Sequence, residues 1–382
     1  MRNIRLFKPC VGEDELKAVE GCIERSWLGL GPKVAEFEQA FLDYLGEPGG
    51  TVALNSATAA LHLSLSSLNL DPGDEVLVPN ITFISSALAV SYCSLKPVFV
   101  DVDESLTISV EDMKRKITEK TKAVIIVHLG GQPCDIPSVL GVAKQYNLKV
   151  IEDCANCTGG SFQGKKLGTF GDFGCYSFEE KKNMTTGDGG MIFSRHQSLI
   201  ESIKKVRWCG IDRDTWRRLK QQDQDIDDPY HWYYEVSSVG YKYNMNDLAA
   251  SIGLVQLKKL DWMNRQREIL IERYVNGLKK LPAIRPAFPY DLNNSGYWLF
   301  AVRTSNRNEL ITHLKKRGVS TGVHFMPMTQ HPLYASVAHK TPYADEVWKE
   351  LITLPLYPEL EESDVDYVIE ALSDYFEVNN VK

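Results

Sequence analysis

Short apolar runs alternate with helical patterns from residue 50 onward. TVALN (51–55) leads into SATAALHLSLSSL (56–68), and EVLVP (75–79) into TFISSALAVSYCS. KPVFVDV (96–102) precedes SVEDMKRKI, KAVIIVHL (122–129) precedes DIPSVLGVAKQYN, and LKVIEDC (148–154) follows. Apolar runs of strand length, bounded by amphipathic helical stretches, predict an α/β fold. Its sheet should be mostly parallel and covered by helices on both faces, with binding sites beyond the carboxyl ends of the strands.

Two more apolar runs, Cys175–Phe178 and Met191–Phe193, flank a loop that carries Lys181, Lys182 and the glycine turn 187–190. Residues 211–238 then break the rhythm, charged first and aromatic later at Trp232, Tyr233 and Tyr234. They predict an exposed excursion that shapes a pocket or packs on a partner. A long helical pattern from Asn246 to Leu281 leads the chain out of the first domain. The division expected is 1–258 for a large domain and 259–382 for a smaller C-terminal α/β domain. The second domain contains strand-like 297–302, helical 312–319 and amphipathic 364–376.

Charge and composition narrow the function classes. The net charge of −7 and the lack of a basic run argue against nucleic acid as a partner. No run of ~18 apolar residues is available to span a bilayer. The opening MRNIRLFKPCVGEDELK lacks the apolar core of a signal peptide. Eight scattered cysteines read as reduced thiols, so a cytoplasmic protein is expected.

Two motifs mislead. Residues 159–166 nearly match a phosphate-binding P-loop, but Lys166 occupies the position that needs Ser or Thr for Mg²⁺. Cys154 and Cys157 form a CxxC without a second ligand pair, and the histidines show no ligand spacing, so no metal is expected.

The remaining polar residues form a more specific set. Asp153 ends the apolar run VIED, where a carboxylate needs a partner. Ser56-Ala57-Thr58 stands where a strand meets a helix, a place suited to capping and to phosphate. Thr82-Phe83 follows the next strand, and Ser177 precedes the lysine pair. A phosphate cradle, an aromatic face, a carboxylate and a lysine on one sheet edge are what pyridoxal phosphate requires. The carboxylate keeps the pyridine nitrogen protonated and the lysine reacts and moves protons.

In that order, these segments resemble the sugar-nucleotide aminotransferases of the DegT/StrS family, fold type I enzymes dependent on pyridoxal phosphate. WLGLGPKVAEFEQAF (27–41), NSATAALHL (55–63), VPNITFISSALAV (78–90), VIEDCAN (150–156), SFEEKKNMTTGDGGM (177–191), GYKYNMNDLAASIG (240–253) and LPLYP (354–358) carry the likeness. The resemblance implies Lys182 as the lysine that carries the cofactor and Asp153 as the partner of its ring nitrogen. It implies Phe83 stacked on the ring, and Ala57, Thr58 and Ser177 on the phosphate. Asn244 would reach the phosphate of a partner subunit in a homodimer with shared sites; an intrachain turn that caps the following helix is the alternative. Trp27 and His324 would lie near the sugar. Asn156 stands where the family commonly has Gln or His on the phenolic oxygen, and Glu179-Glu180 stand where His-Pro is common. The activity implied is transamination of a nucleotide-diphosphate keto-sugar with L-glutamate as donor. Thr185-Thr186 resembles members acting at C4 rather than C3, and products of this kind go to O-antigen and other surface glycans. Lys182 weighs against the members that carry histidine there and dehydrate the sugar. With Asp153 and Ser177, it also weighs against a non-catalytic regulator.

Overall fold

The computed structural model describes residues 2–212, 232–291, 296–337 and 340–378. The chain opens with helices α1 (Glu13–Glu24) and α2 (Pro32–Leu45). Strand–helix units follow: β1 (Gly50–Leu54), α3 (Ala57–Ser66), β2 (Glu75–Pro79), α4 (Ser85–Tyr92), β3 (Lys96–Val100), α5 (Val110–Lys116), β4 (Thr121–Val127), α6 (Ile136–Gln145) and β5 (Lys149–Asp153). A small hairpin, β6 (Ser161–Phe162) and β7 (Lys165–Lys166), precedes β8 (Phe173–Ser177), β9 (Gly190–Ser194), α7 (Gln197–Val206) and the long α8 (Asp247–Leu278). The chain ends with β10 (Arg285–Pro286), β11 (Phe300–Arg303), α9 (Arg307–Lys316), α10 (Pro342–Val347), β12 (Leu351–Leu354) and α11 (Glu362–Val378).

Seven strands form one sheet in the order β1-β9-β8-β5-β4-β2-β3. Within it β9 alone runs against its neighbours, and every other pairing is parallel. The carboxyl ends of β1, β5 and β8 therefore meet one edge with the start of β9. Leu54 and Ser177 both pair with Gly190, and Asp153 pairs with Cys175.

The period of two sorts the strand residues into two cores. Val52, Val76, Ile125, Ile151 and Ile192 pack on one face, together with Ala60 and Leu61 of α3. Ala53, Leu77, Val124, Val150 and Phe193 pack on the other, with Phe37 and Phe41 of α2. Burial on both faces explains why these strands read as continuous apolar runs. Each fully buried Ile or Val contributes about 1.5–3 kcal/mol.

The first core continues into the C-terminal part, through Phe300, Leu314, Val365 and Leu372. There β10, β11 and β12 form an antiparallel three-stranded sheet. The expected boundary at 258 falls within α8. We propose a large and a small unit, with that helix as the element joining them.

Local chemistry sets the ends of the elements. Asn246 caps α8 by accepting from the Ala249 N–H at 2.9 Å. Asp247 caps α2 from a distance in sequence, taking the N–H groups of Lys33 and Val34 at 3.1 Å each. Gly31 is required here because a Cβ would sit 2.0 Å from Trp27 Nε1. The P-loop-like residues 159–166 form the β6–β7 hairpin, with Lys166 Nζ held by Tyr44 Oη and the Gly159 carbonyl. Among the described residues no helix is long and apolar enough to cross a membrane.

Candidate active site

A cavity of about 380 Å³ opens at the sheet edge where those strand ends meet. Asp153 ends β5 two residues after Ile151, so the strand period turns it to the face covered by α3 and α4. It is buried, and its oxygens accept from Ser86 Oγ at 2.8 Å and from the Ala155 N–H at 3.1 Å. Burial raises its pKa above the ordinary carboxylate value, while those two hydrogen bonds and the Lys182 charge pull the other way. Ser86 in turn pairs with Thr82 Oγ1 at 2.9 Å.

Helix α3 starts at the rim of the same cavity. Ser56 caps it, accepting from the Ala59 N–H at 3.1 Å. Ala57 and Thr58 occupy the first turn, where amides lack intrahelical partners and a partial positive charge gathers. Thr58 Oγ1 pairs with Ser85 Oγ at 2.7 Å. Gly190 lets β9 run against this turn, since a Cβ would fall 2.4 Å from the Ser56 carbonyl. Ser177, paired with Gly190, adds its hydroxyl to the lining.

The loop between β8 and β9 supplies the amine. Lys182 is directed into the cavity, with Nζ 3.7 Å from the ring centre of Trp298. Burial pushes its pKa down to about 8; Asp153 and Glu179 oppose that shift and Lys181 adds to it. Lys181 is half exposed, with Nζ a loose 3.7 Å from Glu179. The loop backbone is gripped from outside. Trp298 Nε1 donates to the Lys181 carbonyl at 2.6 Å, and Arg267 Nη2 donates to the carbonyls of Lys182 and Asn183 at 3.4 and 3.2 Å.

The other lining residues complete the mouth. Phe83 is 54% exposed, and its ring lies 6.0 Å from Phe325. Asn156 is buried and accepts from the Gly130 N–H at 3.3 Å. His324 shares a hydrogen bond of 2.8 Å with Thr353 Oγ1. Burial first, then the nearby Lys182 and Lys181 charges, push its pKa down to about 4, so it is neutral at pH 7.

Eight of the ten sequence-derived residues therefore line one cavity: Ala57, Thr58, Phe83, Asp153, Asn156, Ser177, Lys182 and His324. Trp27 and Asn244 do not line it in their own chain. Trp27 Nε1 donates to the Leu30 carbonyl at 3.3 Å. Asn244 pairs with Leu54 across a β-bridge, donates to the Met245 carbonyl at 3.1 Å, and leaves Oδ1 buried without a partner. It does not cap α8, because Asn246 does. Most of the 211–238 excursion, residues 213–231, lies outside the described residues; Trp232, Tyr233 and Tyr234 are exposed.

Sequence reasoning missed Phe7, Ser86, Trp298 and Phe325, which also surround the site. Ser86 was legible as a hydroxyl one helical turn beyond Thr82. Phe7, Trp298 and Phe325 carry no local signal, because they arrive from the N-terminal segment and the small unit. The CxxC cysteines are buried free thiols. Beside Cys154, the buried Glu152 accepts from His128 Nε2 and from the N–H groups of Gly168, Phe170 and Gly171. Those bonds tie segment 168–171 to β5, a structural use of the cluster.

This donor set fits pyridoxal phosphate. A helix N-terminus with Ser and Thr hydroxyls suits its phosphate, a buried carboxylate suits a protonated ring nitrogen, and a desolvated lysine suits its aldehyde. Comparisons with known proteins agree. A model of the DegT/DnrJ/EryC1/StrS aminotransferase family matches residues 9–373. The spore coat polysaccharide biosynthesis protein SpsC of Bacillus subtilis is 37% identical over 379 residues, covering 96% of this chain and 95% of SpsC. The crystal structure of the aminotransferase TlmJ from Streptoalloteichus hindustanus superposes with a TM-score of 0.90 at 32% identity, covering 99% of this chain and all of that one. A putative sugar aminotransferase, Spr1654 of Streptococcus pneumoniae, solved in its PLP form, gives a TM-score of 0.88 at 29% identity, covering 98% and 99%. The chain belongs to the DegT/DnrJ/EryC1/StrS aminotransferase family and is a sugar aminotransferase dependent on pyridoxal phosphate.

Proposed function

We propose that the protein transfers the amino group of L-glutamate to the keto carbon of a nucleotide-linked keto-deoxysugar, at C4 of a 4-keto-6-deoxyhexose. The observation that carries this reading is the buried Lys182 amine sharing one cavity with Asp153 and the N-terminus of α3. Pyridoxal phosphate supplies an electron sink when bound, easing loss of a proton from carbon next to nitrogen. The first turn of α3, with Ala57 and Thr58, and the Ser177 hydroxyl would hold its phosphate. Asp153 would hold a proton on the ring nitrogen, Asn156 would face the phenolic oxygen, and Phe83 would cover the ring.

Lys182 Nζ is the group that moves protons. An ordinary lysine amine is almost wholly charged at pH 7, whereas one titrating near 8 has a usable neutral fraction. Neutral His324 can donate or accept a hydrogen bond to a sugar hydroxyl without fixing a charge near the amine.

The protein is proposed to act as a homodimer, with Asn244 and Trp27 serving the neighbour's site. The half-exposed Phe83 at the cavity mouth supports that view. Similarity to SpsC supports a role in polysaccharide biosynthesis; lipopolysaccharide O-antigen as the destination and the cytoplasm as the place are part of the same proposal.

The test is incubation with glutamate and a panel of UDP-, dTDP- and GDP-linked 4-keto and 3-keto sugars. Amino sugar and 2-oxoglutarate are followed by mass spectrometry. Product from 4-keto sugars is expected, and product only from 3-keto sugars would move the reaction to C3. Cofactor-loaded protein that aminates none of them would overturn the reading.

A further inference from the structure

Trp298 is 4% exposed and comes from the small unit, just before β11. Its contacts converge on the lysine loop. Nε1–H donates to the Lys181 carbonyl, and the ring centre lies 3.7 Å from Lys182 Nζ. Phe7 stacks parallel on the indole, with centroids 5.0 Å apart and planes 4° apart. His324 meets it edge-on at 5.3 Å.

An ammonium withdrawn from bulk solvent into a cavity needs a partner. Among the described residues no carboxylate lies within ion-pair distance of Lys182. The Asp153 oxygens are engaged by Ser86 and Ala155, and Glu179 faces the backbone N–H and the side chain of Lys181. The electron-rich face of an indole is the best aromatic partner for such a cation. Its N–H, pinned to the residue before Lys182, fixes where that face stands.

We infer that Trp298 is the positioning residue of Lys182: its ring holds the free amine and its N–H sets the loop, so Nζ returns to one place whenever it is released. The inference rests on Lys182 being the reacting amine. An ordinary core tryptophan would fill the same volume, yet the amine would be indifferent to the ring's electronic character. The charged and titratable groups facing Nζ are Asp153 from β5, Glu179, Lys181 and Asp188 from the lysine loop, and His324 from the small unit. None of these side chains is altered in the Trp298 variants.

The experiment is competitive acylation of the full-length protein, freed of cofactor, across pH 6 to 11. Mass spectrometry of the Lys181 and Lys182 positions then gives each amine its own pKa. Trp298→Phe keeps a ring face, so Lys182 should titrate as in the wild type. Trp298→Leu should lower the Lys182 pKa by about one unit and leave Lys181 unmoved. A Lys182 pKa equal to or above the wild-type value in Trp298→Leu would overturn the proposal. Should that variant not fold, global replacement of tryptophan by a fluorinated analogue keeps the shape and weakens the ring face. Lys182 must again fall, and an unmoved value overturns the proposal. In the reloaded enzyme, Trp298→Phe loses the bond to Lys181 and should lower kcat by about tenfold with KM retained; a wild-type kcat would remove the N–H from the proposal. The underlying reading fails separately, if Lys182→Ala retains turnover.

Discussion

Ser86 and Asp153 belong to different layers, one on helix α4 and one at the end of strand β5, and their side chains meet at 2.8 Å. The carboxylate at the deep side of the site is thereby aimed by a helix. Ser86→Ala should remove one hydrogen bond to a charged group, worth about 1.5–3 kcal/mol. The expected result is a fall in kcat of about tenfold or more with cofactor still bound. An unchanged kcat would show that Asp153 needs no such support.

Asp153→Asn keeps the size of the side chain and removes its charge. Circular dichroism should match the wild type while kcat falls by about a hundredfold or more. Near-normal turnover would assign Asp153 a purely structural place beside Ser86.

Borohydride treatment should fix the cofactor to a single peptide, with the label on Lys182. Both lysines border the cavity, but the Lys182 amine stands over the Trp298 ring, whereas Lys181 is half exposed and loosely tied to Glu179. Peptide mapping that finds the label on Lys181 would refute the assignment.

The depressed pKa of Lys182 gives a pH dependence with a definite sign. Capture of added pyridoxal phosphate by the cofactor-free protein needs the neutral amine. Its rate should rise with pH through a midpoint of about 8 and level off above it, rather than climb toward 10.5. Stopped-flow absorbance would show this, and a midpoint near that of an exposed lysine would contradict burial of the amine.

Shared sites can be tested by mixing two inactive enzymes. In a heterodimer of Lys182→Ala with Asn244→Asp, sharing through Asn244 puts both defects in one site and leaves the other intact. Half of the dimers are mixed after statistical exchange, so activity should recover to about a quarter of wild type. No recovery after verified exchange would confine Asn244 to its own chain.

Much of this was legible in the chain because its signals are local. The runs at 51–55, 75–79, 122–129 and 148–154 announced β1, β2, β4 and β5 within a residue or two at each end. Asp153 was visible because a carboxylate ended an apolar run, and Ser177 because it preceded the lysine pair. The reversed direction of β9 was not legible, since a strand's direction depends on its partners rather than its own residues. Trp298 was hidden for a similar reason. YWLFAV reads as a strand, yet pairing in β11 begins only at Phe300, which leaves Trp298 free to lie over the lysine loop. Asn244 and Trp27 were placed by family resemblance, and their proposed contacts belong to a second subunit.

Helix α8 has 32 residues and is therefore roughly 48 Å long. Its first residue, Asp247, fastens α2, and its middle grips the lysine loop through Asn264 and Arg267. Its last turns are bolted to α11 by Arg273, whose Nε donates to Asp366 at 2.6 Å. A rod held this way acts as a lever. A tilt of the small unit can reach the Lys182 backbone through Arg267, about six turns from the Asn246 cap, as well as through Trp298. Substitutions at the remote Arg273–Asp366 clasp should therefore register at the amine, making the outer face of the small unit a tuning point for a reaction it never touches.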